Sequence, residues 1–315
     1  MHAEIDRARV HGRTARLMGN IFEIKIFNNE SSHAEKCIDA AIAEIKRIEA
    51  LLTTFHPQSQ TNQINANAGI HPVKVDREVF ELIERSIRIS ELTQGAFDIS
   101  YGSIDKRFWN FDASMTSLPD KETAKRAVKL INYRNIFLER KESIVFLKEK
   151  GMRIGFGGIG KGYAADKAKQ LLVDMGIESG IVNASGDLTA WGHQVDGKPW
   201  TIGIADPDTK NPFSFLNITN MSVATSGNYE KYVTINGQRY SHTIDPRTGF
   251  PVTGVKSVTI ISPYAELSDA MATPVMVMGT KVGLDLINQM KGIACIIVDE
   301  ANRIHHSKNI ALTQL

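Results

Sequence analysis

Five glycines fall within the eight positions Gly155-Phe156-Gly157-Gly158-Ile159-Gly160-Lys161-Gly162. Glycine loses more conformational freedom on folding than any other residue, so such a run belongs to a tight turn or a close backbone approach. The pattern reads as strand, glycine-rich turn, then a helix from Lys161 to Met175. Two nucleotide-binding labels present themselves. As GxGxxG the run matches a dinucleotide fingerprint, but the following strand ends at Asn183-Ala184-Ser185 without the acidic residue that fingerprint needs. As GxxxxGK it approaches a P-loop, but Gly162 stands where a Ser or Thr hydroxyl must ligate magnesium. What both labels share remains: small residues admit a ligand, a helix N-terminus favours anions, and Lys161 adds a positive charge. A plain strand-to-helix turn with a solvated lysine fits the segment equally well.

The rest of the chain excludes a doubly wound sheet. Asn20–Phe27 alternates as a strand, with Ile24 and Ile26 on one face. Ser32 and Glu35 form a capping-box pattern ahead of a helix reaching about Leu52. A second amphipathic helix follows Asp76 and stops near Gly95, and a third opens at Pro119 and ends near Ile131. Residues 136–138 and 144–147 read as a hairpin. Gly180–Asn183 is a strand, and residues 201–240 are β-rich, with Asn236-Gly237 as a two-residue turn. The strand Val255–Ile261, helices over 266–278 and 282–290, and the apolar strand Ala294–Val298 complete the pattern. Helices and strands mix without regular βα alternation, so the reading is α+β, mixed or antiparallel and not Rossmann. Length, 42% hydrophobic and 23% charged content suit one globular domain with an ample core.

Charge narrows the functional classes. A net charge of +2, with no long run of Lys and Arg, gives no support for nucleic acid or a membrane surface. The longest apolar stretches are strand-sized and predict no membrane span. Cys37 and Cys295 are the two cysteines, they form no CxxC pair, and both read as buried thiols. Residues 1–10 are polar and show neither a signal peptide nor a lipid-attachment cysteine.

Several segments carry polar chemistry. His242-Thr243-Ile244-Asp245-Pro246-Arg247-Thr248-Gly249-Phe250-Pro251 sets His, Asp and Arg in a rigid turn, suited to a phosphate-bearing ligand or to ordinary turn chemistry. Asp269 and Thr273, four apart on a helix, share one face and offer hard oxygen ligands of the kind Mg²⁺ accepts, although that spacing is commonplace. Asn183-Ala184-Ser185-Gly186-Asp187 and Gly95-Ala96-Phe97-Asp98 place amide and carboxylate groups at element ends, where turn capping is the simpler explanation. Phe55 stacks on a flat ring or packs. His56, His71 and His193 read as surface residues.

Taken in order, these segments resemble the ApbE family of flavin transferases. Eight pieces are in register: Met18-Gly19, Phe55-x-x-x-Ser59, Gly95-Ala96-Phe97-Asp98, Gly157-Gly158-Ile159-Gly160-Lys161-Gly162-Tyr163-x-x-Asp166, Asn183-x-x-Gly186-Asp187, Thr225-Ser226-Gly227-Asn228-Tyr229, His242-x-x-Asp245-Pro246-Arg247-Thr248-Gly249 and Asp269-Ala270-x-x-Thr273. The resemblance implies one T-fold-like domain over residues 16–310 after an N-terminal extension of residues 1–15. It implies FAD as substrate, Mg²⁺ as cofactor, and transfer of FMN to a Thr or Ser hydroxyl of an acceptor protein with release of AMP. By that likeness Met18, Phe55, Ala96, Phe97, Asp98, Gly155, Lys161 and Thr243 line the FAD site. Asp269, Thr273 and the Gly158 carbonyl hold the metal, while His242, Asp245 and Lys161 carry the catalysis.

The same resemblance suggests an acceptor that is a subunit of a membrane redox complex, and an exported, lipid-anchored enzyme. Three positions depart from the family's pattern. Gly155 stands where an Asp is common, Asn20 replaces a Thr, and Pro274 follows Thr273 where it would kink the helix. Two alternatives share the pocket: Mg²⁺-dependent hydrolysis of FAD to FMN and AMP, and FAD binding without catalysis. The Asp269 and Thr273 pair argues against the latter.

Overall fold

Alternation builds the first hairpin of the chain. In the computed structural model, which describes residues 9–105, 107, 109, 115–209, 211–228, 232–235, 237–310 and 313–314, β1 (Arg9–Leu17) pairs antiparallel with β2 (Asn20–Asn28). Phe22, Ile24 and Ile26 of β2 all face the core. The turn residues Met18 (φ 50°) and Gly19 (φ 73°) are both left-handed, which matches the twist of the two strands. Residues 9–15, set apart as an extension in the sequence reading, are therefore sheet residues.

The elements that follow are α1 (Ser31–Leu52), α2 (Gln60–Ala66), β3 (Val73–Lys74), α3 (Arg77–Leu92), α4 (Lys121–Ala127), β4 (Ile136–Glu139) and β5 (Ile144–Leu147). Then come α5 (Gly160–Asp174), β6 (Gly180–Ala184), β7 (Asp187–Trp191), β8 (Trp200–Ala205), β9 (Pro212–Ile218), β10 (Met221–Gly227), β11 (Tyr232–Ile235) and β12 (Gln238–Ser241). The chain closes with β13 (Val255–Ser262), α6 (Ala265–Ile287), β14 (Ala294–Asp299), β15 (Ile304–His306) and β16 (Thr313–Gln314).

Eight strands form the main sheet in the order β1-β2-β6-β7-β10-β13-β14-β15, and every neighbouring pair is antiparallel. This is an α+β fold with antiparallel sheets, not a Rossmann layout. Helices α1, α5 and α6 pack on one face, and the β8–β9 ribbon covers part of the other through Trp200, Ile204, Leu216 and Ile218. Strands β7 and β14 are covered on both faces, so every residue in them is buried and their sequences read as runs rather than alternations.

Local signals are mostly realised as expected, with instructive exceptions. Helix α1 buries Ala34, Cys37, Ile38, Ala41, Ile45, Ile48 and Leu52 along one stripe. Its capping box is not used: Glu30 is the N-cap, Ser32 lies inside the first turn, and Glu35 turns to Arg13 of β1. No strand precedes the glycine-rich turn. The backbone of Ile154 is satisfied by the Asn65 side chain, which accepts from its N–H at 2.7 Å and donates to its carbonyl at 3.0 Å. The β11–β12 hairpin closes at Ile235↔Gln238 with Gly237 at φ 79°, while Asn236 and Tyr229 lie outside the described residues.

Helix α6 corrects one expectation. The kink is at Gly279 (φ 77°, ψ 174°) and not at Pro274, which sits inside continuous helix. The break divides α6 near the boundary expected between its two parts. By length and composition alone the whole helix would be apolar enough to cross a membrane, but the break at Gly279 interrupts it. Here it lies against α5, β10 and β13, with Ala270, Met271, Val275 and Met276 fully buried. Both cysteines are buried free thiols, and burial pushes Cys295 up to about 12.

Candidate functional site

A cavity of about 670 Å³ opens where the β1–β2 turn, the segments after α1 and α3, the glycine-rich turn, the 242–246 segment and α6 converge. That lies within the range typical of small-molecule sites, roughly 300–1,000 Å³. Met18, Phe55, Ala96, Phe97, Asp98, Gly155, Gly158, Lys161, His242, Thr243 and Thr273 all line it, although they come from distant parts of the sequence. A larger hollow of about 1070 Å³ between α3, α5 and α6 holds none of these except through shared helices, and its wall includes the Arg85–Glu266 ion pair.

The glycines of the inner wall have distinct reasons to be there. At Gly162 a Cβ would lie 2.1 Å from the Ala265 carbonyl oxygen, so α5 and α6 touch backbone to backbone. The hydroxyl that a P-loop needs has no room. At Gly157 a side chain would meet open space, and at Gly158 it would only touch the Phe97 ring at 3.5 Å. Gly155 also has room, with Thr54 at 3.7 Å, so the family's common Asp could be accommodated there.

The close approach lets each helix cap the other. The Gly162 N–H at the start of α5 donates to Asp269 Oδ2 of α6 at 3.0 Å. Reciprocally, the Ala265 and Glu266 N–H groups at the start of α6 donate to Asp166 of α5, both at 2.9 Å. Asp269 itself is buried behind the wall. Burial first, and then the charge of Asp187, push its carboxyl up to about 7, against the pull of Lys161 and the two N–H groups. Lys161 reaches the buried Asp187 at the start of β7 as an ion pair. Thr273, one turn after Asp269, has its hydroxyl 3.0 Å from that of Ser226.

The remaining predicted residues divide between wall and scaffold. Asp98 accepts from the Ser100 N–H and hydroxyl and from the Tyr133 N–H, and burial still raises it above the usual carboxylate range. Asp245 does not line the cavity. It takes Arg247 in a two-point pair at 2.9 Å and its carbonyl closes the turn to Gly249, so it is spent on holding the 242–251 segment. Gly249 (φ 77°) seats that turn on α4, where a Cβ would lie 2.2 Å from the Ala124 carbonyl oxygen. Phe55 is 95% exposed on the rim and is not core packing. His56, His71 and His193 are exposed, as expected.

The Asp269 carboxylate, the Thr273 hydroxyl and the Gly158 carbonyl are hard oxygen donors by chemical type, and Thr273 and Gly158 line the cavity. Among the described residues no cluster of three or more His, Cys, Asp or Glu side chains is placed to hold a metal. A single carboxylate with a hydroxyl and a carbonyl still suits Mg²⁺, which retains several waters and commonly takes one or two protein carboxylates. Asp187, which pairs with Lys161, and Ser226, which hydrogen-bonds Thr273, touch these residues and were not among the site residues expected. The Asn183-x-x-Gly186-Asp187 turn was the signal for the first, and the Thr225-Ser226-Gly227 segment for the second.

The ApbE family model matches residues 18–297. An FAD:protein FMN transferase of Klebsiella pneumoniae is 33% identical over 293 residues, covering 92% of this chain and 89% of that protein. One from Treponema pallidum is 29% identical over 321 residues, covering 96% and 88%. The crystal structure of an ApbE protein from Thermotoga maritima superposes with a TM-score of 0.86 at 31% identity, covering 95% of this chain and 97% of that one. The Pseudomonas stutzeri flavinyl transferase ApbE gives 0.83 at 27% identity, covering 96% and 95%.

Proposed function

The chain belongs to the ApbE family, and on that premise we propose that it transfers FMN from FAD to a Thr or Ser hydroxyl of an acceptor protein, releasing AMP. The observation that carries this reading is the convergence of Met18, Phe55, Phe97, Lys161, His242 and Thr273 on one cavity beside a buried carboxylate. Phe55 and Met18 offer apolar surface to a flat ring at the rim, and the glycine-rich turn lets a pyrophosphate approach backbone.

The acceptor oxygen attacks the phosphorus on the FMN side, the bond to the AMP phosphate breaks, and the hydroxyl proton passes to a base. His242 is the ring on the cavity wall suited to take that proton, while Asp245 holds the turn that presents it. Lys161 supplies positive charge at the inner wall, where phosphoryl oxygens develop charge. Asp269, Thr273 and the Gly158 carbonyl would hold Mg²⁺, which supplies charge neutralisation at those oxygens when bound.

The test incubates the protein with FAD and Mg²⁺, with and without a Thr-bearing acceptor, and follows AMP and acceptor mass together. An acceptor heavier by one FMN, with matching AMP, is the expected result. AMP and free FMN without any acceptor would replace transfer by hydrolysis. FAD binding without AMP, across acceptors bearing Thr or Ser, would reduce the protein to a carrier. A subunit of a membrane redox complex is the acceptor class to try first.

A further inference from the structure

Asp187 has no part in the scheme above, yet it is the partner of Lys161 on the inner wall. It opens β7, is 4% exposed, and takes the Lys161 ammonium. Lys161 precedes Gly162, whose N–H donates to Asp269. The residue that holds Asp187 through its side chain is thus the neighbour of the residue that holds Asp269 through its N–H, which brings two carboxylates and one ammonium to the first turn of α5. At this degree of burial, opposite and like charges alter one another's interactions far more than at an exposed surface.

We propose that Asp187 and Lys161 form a charge-setting pair for a divalent cation at Asp269 and Thr273. Lys161 is the built-in competitor of the cation, and Asp187 is a positioning residue that draws the ammonium aside and offsets it. The inference rests on the reading that this centre takes a divalent cation. Its consequence is a difference in sign. Removing the ammonium takes its positive charge from beside the two carboxylates and strengthens cation binding. Removing the Asp187 charge leaves Lys161 opposed to Asp269 alone and weakens it. Deleting both returns the net charge of the cluster to its starting value.

The probe is Mn²⁺ alone, with free ion counted by its electron paramagnetic resonance signal, and neither FAD nor acceptor present. The proteins are the full chain, Lys161→Met, Asp187→Asn and the double variant, each checked for cooperative melting. Expected are tighter binding in Lys161→Met, weaker binding in Asp187→Asn, each on the order of tenfold, and an affinity near the starting value in the double variant. If Asp187→Asn does not fold, Lys161→Met decides, because a damaged site does not bind its ion more tightly. Weaker binding in both single variants, or no change in either, would overturn the charge-setting role and leave the transferase reading standing. Absence of saturable Mn²⁺ binding by the parent chain would remove the metal site, and this inference with it.

Discussion

Two helix N-termini in this molecule receive the same interaction and differ in everything around it. Asp269 of α6 accepts from the start of α5, and Asp166 of α5 accepts from the start of α6, over 2.9–3.0 Å. Burial raises both carboxyls, Asp269 to about 7 and Asp166 to about 6. At α5, however, the capped N–H follows Lys161, which pairs with Asp187, the capping carboxylate lies one turn before Thr273, and Lys161, Thr273 and the glycine-rich turn line the cavity. At α6 the helix begins after Tyr264, and the hollow beyond it holds Lys169 and the Arg85–Glu266 pair. A carboxylate on a helix N-terminus is therefore structural by default, and what separates the two is the cavity and the charged neighbours beside one of them.

The sharpest way to break this comparison is to remove each aspartate in turn. Asp269→Ala is expected to lower FMN transfer on the order of 10³-fold, about 4 kcal/mol in the barrier, while FAD still binds. Asp166→Ala removes an equivalent cap and leaves turnover per folded molecule within a few-fold. Steady-state rates below the melting temperature of both variants check this. Equal losses would mean that Asp269 acts on α5 alone. Gly162→Ala attacks the shared contact that makes both caps possible. Its Cβ must displace the Ala265 carbonyl, and a loss of about 3 kcal/mol or more in denaturant unfolding is expected. Gly157→Ala, with open space around it, is the matched control.

Asp166 gives a smaller and pH-dependent effect. Its two N–H donors would be left without an acceptor in Asp166→Ala, a loss of about 2 kcal/mol. Its folded value near 6 lies above the ordinary value of about 4 in an unfolded chain. Between those limits the native state holds the proton more tightly, so this group's contribution to stability is greatest at low pH and falls as pH rises from about 4 to about 6. Asp166→Asn should flatten that part of the curve relative to the parent. Thermal melting of the two proteins across that window checks the sign, and parallel curves would mean that Asp166 is not raised.

Periodicity made α1, α3, β2 and β6 legible, because one buried stripe or one alternation is written into each, while β13 and β14 were legible as apolar runs. Helix α2, a short polar stretch from Gln60 to Ala66, carries no such stripe and is held by Ser59, which accepts from the Asn62 N–H. Strand β7 is short and buried on both faces, so it shows no alternation, and its first residue Asp187 read as the end of the Asn183–Asp187 turn. The reciprocal caps join residues about a hundred positions apart, and the ion pair of Lys161 with Asp187 spans twenty-six. Local spacing holds no record of such pairs. Family resemblance located the wall residues for the same reason that spacing could not, since it records which distant segments act together. It could not show that Asp245 is occupied by Arg247, because that depends on where one turn points.

The rim offers the mildest contrast with the inner wall. Phe55 is 95% exposed, and its backbone N–H bonds only to the Thr53 hydroxyl of its own loop. Truncating it removes no core contact, so Phe55→Ala should leave the melting temperature unchanged within about 1 °C, unlike any substitution at Gly162. A phenyl ring so exposed gains most when a flat ligand covers it. FAD affinity should accordingly fall by about 1 kcal/mol, roughly fivefold, while AMP, which lacks the flavin ring, loses nothing measurable. Calorimetric titration of both ligands into parent and variant separates the cases. An equal loss for FAD and AMP would place the effect in the loop that carries Phe55, and the rim would then shape the cavity without reading the ring.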